Sequence, residues 1–368
     1  MGALEVEGHP LQNPAIAQGP LPPLRGDGLR SGHHARSKNE PRRVRRMTQR
    51  RFWRAAGAIA ATVIVGYFVV KQLSWRDLSS LWRTADVRLL ALAFVAYLLA
   101  NVLRARRFRA LTGDQISSVT LLRTVLIQNF LNTFLPLRAG EVSYLYVVQR
   151  TGVVRLGQNL ASLVGARALD LVVALWIPLL SLPLSRVWFS EGRTVTWFAA
   201  LAITAALVLA LGVARAEPLA NWLGVQAAAR QGHIKRGLET AGDTLRALGE
   251  LRRGRLLVRT TALTFGCWGL IYICGYLSLL GLGIDIGFWN ALFAYSFPMI
   301  ASMTPFYMLG GFGVFEGSIG MGLHLAGIPL GLAMSAGLLL HIAELVYVVL
   351  PAPFGLKPKL ARGARAEP

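Results

Sequence analysis

Apolar residues in this chain gather in blocks close to 20 residues long, which is the length an α-helix needs to cross the hydrocarbon core of a bilayer. Blocks at 55–73, 87–103, 119–137, 158–182, 195–213, 257–281, 288–304, 305–328 and 333–353 follow one another through most of the 368 residues. Hydrophobic residues make up 54% of the chain and charged residues only 15%, whereas a soluble domain carries about 25% charged residues. A transmembrane β-barrel would instead alternate over segments of about ten residues. The fold class predicted is an all-α polytopic membrane protein.

The net charge of +21 would suggest nucleic acid in a soluble protein. In a membrane protein, Lys and Arg gather in cytoplasmic loops, which explains the excess without a nucleic-acid partner. Basic runs surround Arg42–Arg54, Arg104–Arg109, the long connection 214–256, and Lys357–Arg365. All four are predicted to be cytoplasmic, the N-terminus included, in a multi-pass protein of the cell membrane. Residues 1–54 are rich in Pro, Gly and Arg and read as a disordered basic tail; 55–353 form the membrane domain, and 354–368 a short cytoplasmic tail. Met47, immediately before the basic flank, is a candidate true start. Cys267 and Cys274 match no metal motif, no disulfide framework and no cofactor site.

Counting crossings refines the topology. Between 104–109 and 214–256 the chain must cross an even number of times, yet three apolar segments lie there. The segment 119–137 carries Arg123, Gln128, Asn129, Asn132 and Pro136, and is the poorest lipid-facing span. It is expected to be re-entrant from the cytoplasmic side. In the second half, 288–304 and 305–328 must enter and leave on the outer side. That pair holds Pro298, Pro305 and a run of glycines from Gly310 to Gly320. Irregular backbone at membrane depth is tolerated only where protein or a water-filled cavity covers it. The expectation is about six full spans plus two broken or re-entrant helical hairpins, a possible inverted repeat, with a transporter site near the midplane.

Three clusters could carry chemistry. In NFLNTFLPLRAGE the candidates are Asn129, Asn132, Arg138, Gly140 and Glu141. Arg138 and Glu141 would each cost about 2.5–3.5 kcal/mol inside the membrane unless paired or wet; an interfacial salt bridge is the plainer alternative. In GARALD, Arg167 and Asp170 share a helical face. They form either an intrahelical ion pair at the interface, with Arg167 reaching the headgroups, or a site where Arg167 meets a lipid phosphate and Asp170 holds it in place. In PFYMLGGFGVFEG, the candidates are Gly311, Gly313 and Glu316, against a glycine-rich packing surface as the alternative. This is not a phosphate loop, because no Lys-Ser/Thr follows the glycines. His341 and Glu344, three apart on the last span, read as a hydrogen-bonded pair. No nucleophile, base and orienter occur together, and no metal-ligand spacing is present.

These ordered signatures, the first followed about 25 residues later by A-R-A-L-D, resemble the lysylphosphatidylglycerol synthase transmembrane-region family, also called flippase-like domain proteins. The resemblance covers roughly residues 55–353. It departs where Val142–Tyr146 stand in place of a further basic residue after Gly140-Glu141, and where the gap from Pro305 to Gly310-Gly311 is long. The resemblance implies handling of anionic phospholipids or lipid-linked headgroups, with the site residues named above, and no enzymatic activity, since the soluble aminoacyl-transferase domain of the two-domain members has no room after Pro353. An alternative from another class is a non-transporting membrane partner that docks an envelope-synthesis enzyme, such as a glycosyltransferase, through its basic 214–256 connection.

Overall fold

In the computed structural model, residues 71, 74–135, 139–185, 193–250, 254–302 and 309–356 are described. The expectations for the tails, for Met47 and for most of the first apolar block lie outside them. Twelve α-helices occur among the described residues: α1 Trp75–Arg83, α2 Val87–Leu111, α3 Ser118–Phe134, α4 Ala139–Arg150, α5 Leu156–Ser181, α6 Arg193–Ala228, α7 Gly232–Gly249, α8 Gly254–Gly281, α9 Phe288–Ser302, α10 Val314–Leu325, α11 Leu330–Val349 and α12 Ala352–Gly355. Five helical stretches among them, in α2, α5, α6, α8 and α11, are long and apolar enough to cross a membrane.

The helix boundaries follow local chemistry. Asp86 caps α2, its carboxylate accepting from the Arg88 N–H at 2.8 Å. Ser117 caps α3 through the Thr120 N–H at 3.2 Å. The end of α3 is set by Pro136: the residue before a proline is pushed out of the helical region, and Leu135 is extended (φ −104°, ψ 141°).

α2 and α8 pack antiparallel along their lengths. At one end Arg259 of α8 clasps Asp114, just past α2, at 2.9 Å; at the other, the Asp86 N–H donates to the Gly281 carbonyl at 2.7 Å. The first of these ends also holds α7, because Gly157 at the start of α5 lies against Asp243 and Thr244. It is called the basic end here.

α3 and α4 form a hairpin that starts and finishes at the basic end. Ile116 before α3 and Val154 after α4 belong to one buried cluster with Phe108, Leu121, Tyr144 and Val148. The two arms touch so closely that a Cβ on Gly140 would stand 2.1 Å from the Gln128 carbonyl oxygen. α9 and α10 form a second hairpin at the opposite end, where Leu81, Leu282, Ile284, Leu323 and Ala333 share a cluster. Here a Cβ on Gly322 would stand 2.5 Å from the Ala294 carbonyl oxygen, and one on Gly337 of α11 3.1 Å from that of Glu316. In lipid, apolar burial does not drive helices together, so such close backbone approach supplies the packing.

One expectation needs correction. The second apolar segment does not stop at 103: α2 continues to Leu111, and its arginines belong to the helix rather than to a loop. Arg107 turns inward to a carboxylate, so its charge is satisfied where a bare charge would have ended the span. The connection 214–256, whose sequence pattern is helical, is largely helical in the structure. α6 runs on to Ala228 and α7 folds back onto α5 and α6, with Gly242 beside the Ala220 carbonyl.

Candidate functional site

The tips of the two hairpins meet. α3 packs against Leu309–Gly311, and residues of α3, α9 and α10 line a cavity of about 170 Å³. The first half of the chain supplies Tyr97, Arg104, Asn129, Asn132, Arg167 and Asp170 to its wall. The second supplies Trp268, Pro298, Ser302, Phe315 and Glu344.

Asp170 anchors this wall. Small residues along α5, among them Ala166 and Ala174, let neighbouring helices approach and leave Asp170 only 4% exposed. Its carboxylate is gripped from three helices. Arg107 of α2, 1% exposed, reaches Oδ1 at 2.5 Å and Oδ2 at 3.2 Å in a bidentate pair, and donates also to Thr264 Oγ1 at 3.2 Å. The Trp268 indole N–H of α8 donates to Oδ1 at 2.9 Å. Arg167 reaches Oδ2 at 3.4 Å and, on its other side, stands 2.9 Å from Glu141 of α4. The chain Glu141–Arg167–Asp170–Arg107 thus ties the first hairpin to α5, α2 and α8.

The expectation that Asp170 chiefly positions Arg167 is therefore revised: the main partner of Asp170 is Arg107, and Arg167 is shared between two carboxylates. Arg167 is still on the cavity wall, with its side chain 32% exposed. Arg138, the other basic candidate, lies outside the described residues.

Asn129 is fully occupied in positioning. Its Oδ1 accepts from Arg104 at 2.9 Å, while its Nδ2 donates to Asn101 Oδ1 at 2.7 Å and to the Tyr97 hydroxyl at 3.3 Å. Asn132 also faces the cavity, and its Oδ1 is buried without a hydrogen-bond partner. Gly140 is there for space, since Asn132 Oδ1 fills the place a side chain would need, 2.6 Å from an added Cβ.

At the second tip, Gly310, Gly311 and Gly313 take φ of +81°, +79° and +81°, a region side-chain-bearing residues rarely enter. Glu316, in the first turn of α10, accepts from the Gly313 N–H at 2.7 Å. Its other oxygen meets His341 Nδ1 at 2.7 Å, and His341 Nε2 meets the Gly310 carbonyl at 2.6 Å. The expected His341–Glu344 pair is not formed. The ring of His341 turns toward the hairpin instead, held between Phe312 and Phe315 with centroids 4.7 and 4.8 Å away. Glu344, one turn further along α11, lines the cavity and has no hydrogen-bond or ion-pair partner among the described residues.

Residues 55–352 match the family model described as Lysylphosphatidylglycerol synthase TM region, which spans most of the chain. The chain belongs to this family. Comparison with curated proteins and with solved structures returned no match. Membership in the lysylphosphatidylglycerol synthase transmembrane-region family makes the matched residues a flippase-like, lipid-handling membrane module rather than an aminoacyl-transferase. Of the candidate residues read from the sequence, Glu141, Arg167 and Asp170 lie in the charge chain, and Gly311, Gly313 and Glu316 at the second tip. Sequence reasoning missed Arg104, Arg107, Thr264 and Trp268. The signal for the two arginines was present: they are one turn apart, on the face of α2 that carries the small buried residues Ala93, Ala96 and Ala100.

Proposed function

We propose that this protein moves lipids with anionic headgroups between the leaflets of the cell membrane, taking the headgroup into the cavity between the hairpin tips. The observation that carries the reading is that one cavity joins Arg104 and Arg167 from the first half to Ser302 and Glu344 from the second. Arginine suits a phosphate because its planar fork can donate two parallel hydrogen bonds. Asp170 and Arg107 position Arg167, and Arg138, which lies outside the described residues, is proposed from the sequence as a second headgroup contact.

The topology supports alternating access. α2, the α3–α4 hairpin and α5 form a span–hairpin–span unit, and α8, the α9–α10 hairpin and α11 form another that runs the opposite way. We read these as an inverted repeat with hairpins re-entrant from opposite faces, the basic end cytoplasmic, and the apolar block 55–73 as a sixth span. In such transporters the two repeats rock about a site near the midplane.

Reconstitution in vesicles with a fluorescent phosphatidylglycerol analogue tests the reading. The wild-type protein is expected to move the analogue faster than empty vesicles, with Arg104→Ala and Arg138→Ala reducing the rate at least about tenfold, the loss of one charge-assisted contact. Equal rates for wild type and empty vesicles would contradict it. A second reading rests on α7, which with Arg230 just before it exposes Lys235, Arg236 and Arg246 around the basic end: this face would dock an envelope-synthesis enzyme. In that case neutralising this face, and not the cavity, abolishes function.

A further inference from the structure

The hydrogen bonds around His341 fix a proton count. The Gly310 carbonyl can only accept, so Nε2 of His341 carries a hydrogen. Nδ1 faces Glu316 Oε1 at 2.7 Å. An ionised carboxylate can only accept, and so can Nδ1 of a ring already protonated at Nε2. The contact therefore needs one more proton, either on the ring as an imidazolium–carboxylate pair or on the carboxyl as an acid donating to a neutral ring. The other Glu316 oxygen is taken up by the Gly313 N–H, which leaves that proton no second place in the pair.

The geometry points to a proton-binding site at Glu316 and His341 that latches the tip of the α9–α10 hairpin when loaded and releases it when empty. His341 holds one end of the turn through the Gly310 carbonyl, and Glu316 holds the other through the Gly313 N–H. Both ends, Gly310 and Gly313, and Gly311 between them are glycines at positive φ, which can swing without a side-chain penalty. Loss of the shared proton sets two acceptors against each other at a distance where only a hydrogen bond is stable. In this site, 1% exposed at both residues, water does not screen that repulsion. The pair must part, and one end of the turn goes with each partner. Phe315, stacked on His341, is part of the cavity wall, so the movement reaches the cavity directly.

Among the described residues, few other charged groups surround the pair. Glu344 and Tyr347 stand on α11 itself, Tyr295 on α9, Tyr272 and Cys274 on α8, and Tyr97 and Arg104 on α2. Arg123 of α3, Asp77 of α1 and His324 of α10 are nearer the ends of those helices. Arg167 and Asp170 of α5 also line the cavity, but the Asp170 carboxylate is held by Arg107, Arg167 and Trp268; Glu344, without such partners among the described residues, is placed to take the released proton onward. The latch does not depend on the transport reading, since its test contains no lipid movement.

Glu316→Gln mimics the loaded state permanently: the amide N–H₂ donates to Nδ1 while the amide oxygen accepts from Gly313. Hydrogen–deuterium exchange of the purified full chain, followed on peptides covering 309–317, gives the readout. At pH 5, wild type and Glu316→Gln should exchange alike. At pH 9, wild type should exchange at least about tenfold faster than Glu316→Gln measured at the same pH, which cancels the intrinsic pH dependence. Glu344→Gln should keep this divergence, and His341→Ala should exchange fast at both pH values. A wild-type to Glu316→Gln ratio that does not change between pH 5 and pH 9, or a divergence abolished by Glu344→Gln, overturns the proposal. Should the variants not fold, nitrogen NMR of histidine-labelled wild-type protein decides: a His341 Nδ1 signal unchanged from pH 5 to pH 9 contradicts it, and a change between those values supports it.

Discussion

The two hairpins face one cavity but are held in place by different means. The α3–α4 hairpin is tied by charge: Glu141 to Arg167, Arg167 to Asp170, and Asp170 to Arg107, with Asn129 locked to α2. The α9–α10 hairpin is tied by three glycines, one histidine and one glutamate, with close backbone approach at Gly322 and beside Gly337. Arginine at these positions stays charged at any working pH, so the first hairpin is a fixed wall. The second depends on a group that can gain or lose a proton, and its glycines permit large backbone change. In the proposed function, the first half of the site takes the substrate charge and the second half moves.

The largest expected effect separates the two directly. Asp170→Asn keeps the shape but leaves the Arg107 guanidinium, 1% exposed, without a countercharge. Breaking a buried pair this way costs about 3–5 kcal/mol. Thermal unfolding in detergent should show a large loss for this variant and almost none for Glu316→Gln at pH 5, because the amide keeps both hydrogen bonds. Equal losses would mean that the second hairpin is as dependent on charge as the first.

A smaller effect tests packing in the same two places. Gly140→Ala and Gly322→Ala both put a methyl group against a backbone carbonyl, at 2.1 Å and 2.5 Å before relaxation. Each should destabilise by about 1–3 kcal/mol, the usual cost of overpacking. A methyl on Gly140 would also stand 2.6 Å from Asn132 Oδ1, so Gly140→Ala is expected to be the worse of the two. Unfolding midpoints of the paired variants check the order.

The smallest effect lies outside the hairpins, at the basic end. The Arg259 guanidinium hydrogen-bonded to Asp114 holds its carboxyl below the usual carboxylate range. A carboxyl lowered in the folded state contributes stability above its unfolded value, near pH 4, and loses it as pH falls through the lower folded value. The pair is exposed, so the contribution is small. Asp114→Asn should flatten this shallow acid slope and leave stability at pH 7 nearly unchanged. A loss at pH 7 comparable to that of Asp170→Asn would show that the exposed clasp carries more of the fold than its setting allows.

Much of this arrangement could be read from residues alone, and the parts that could not share a cause. Pro136 and the run from Gly310 to Gly313 mark helix ends by local backbone chemistry, and helices end or turn there. Asn129 and Asn132 stood out because polar side chains are costly in an apolar segment. Arg104 and Arg107 were hidden because a basic run after an apolar block looks like a cytoplasmic flank; only the partner, Asp170, 63 residues on, shows that Arg107 turns inward. The pairing of His341 was misread for a similar reason. Glu344 is its neighbour along the helix, but its partners Glu316 and Gly310 come from a hairpin that sequence spacing cannot fold against α11. Local grammar locates breaks and polar positions, while non-local contacts decide which charges are satisfied.

The central claim is that the hairpins enter from opposite faces of the membrane and meet at their tips. Labelling of intact cells with an impermeant thiol reagent tests it most directly, in a background where the buried Cys267 and Cys274 are replaced by alanine. Gly152→Cys reports the exit of the first hairpin and Leu330→Cys that of the second; both positions are exposed on the protein. The account predicts that position 330 labels from outside and that position 152 labels only after the cells are opened. Outside labelling at 152 would mean that 119–137 crosses the membrane, and the two tips could not then approach the cavity from opposite faces.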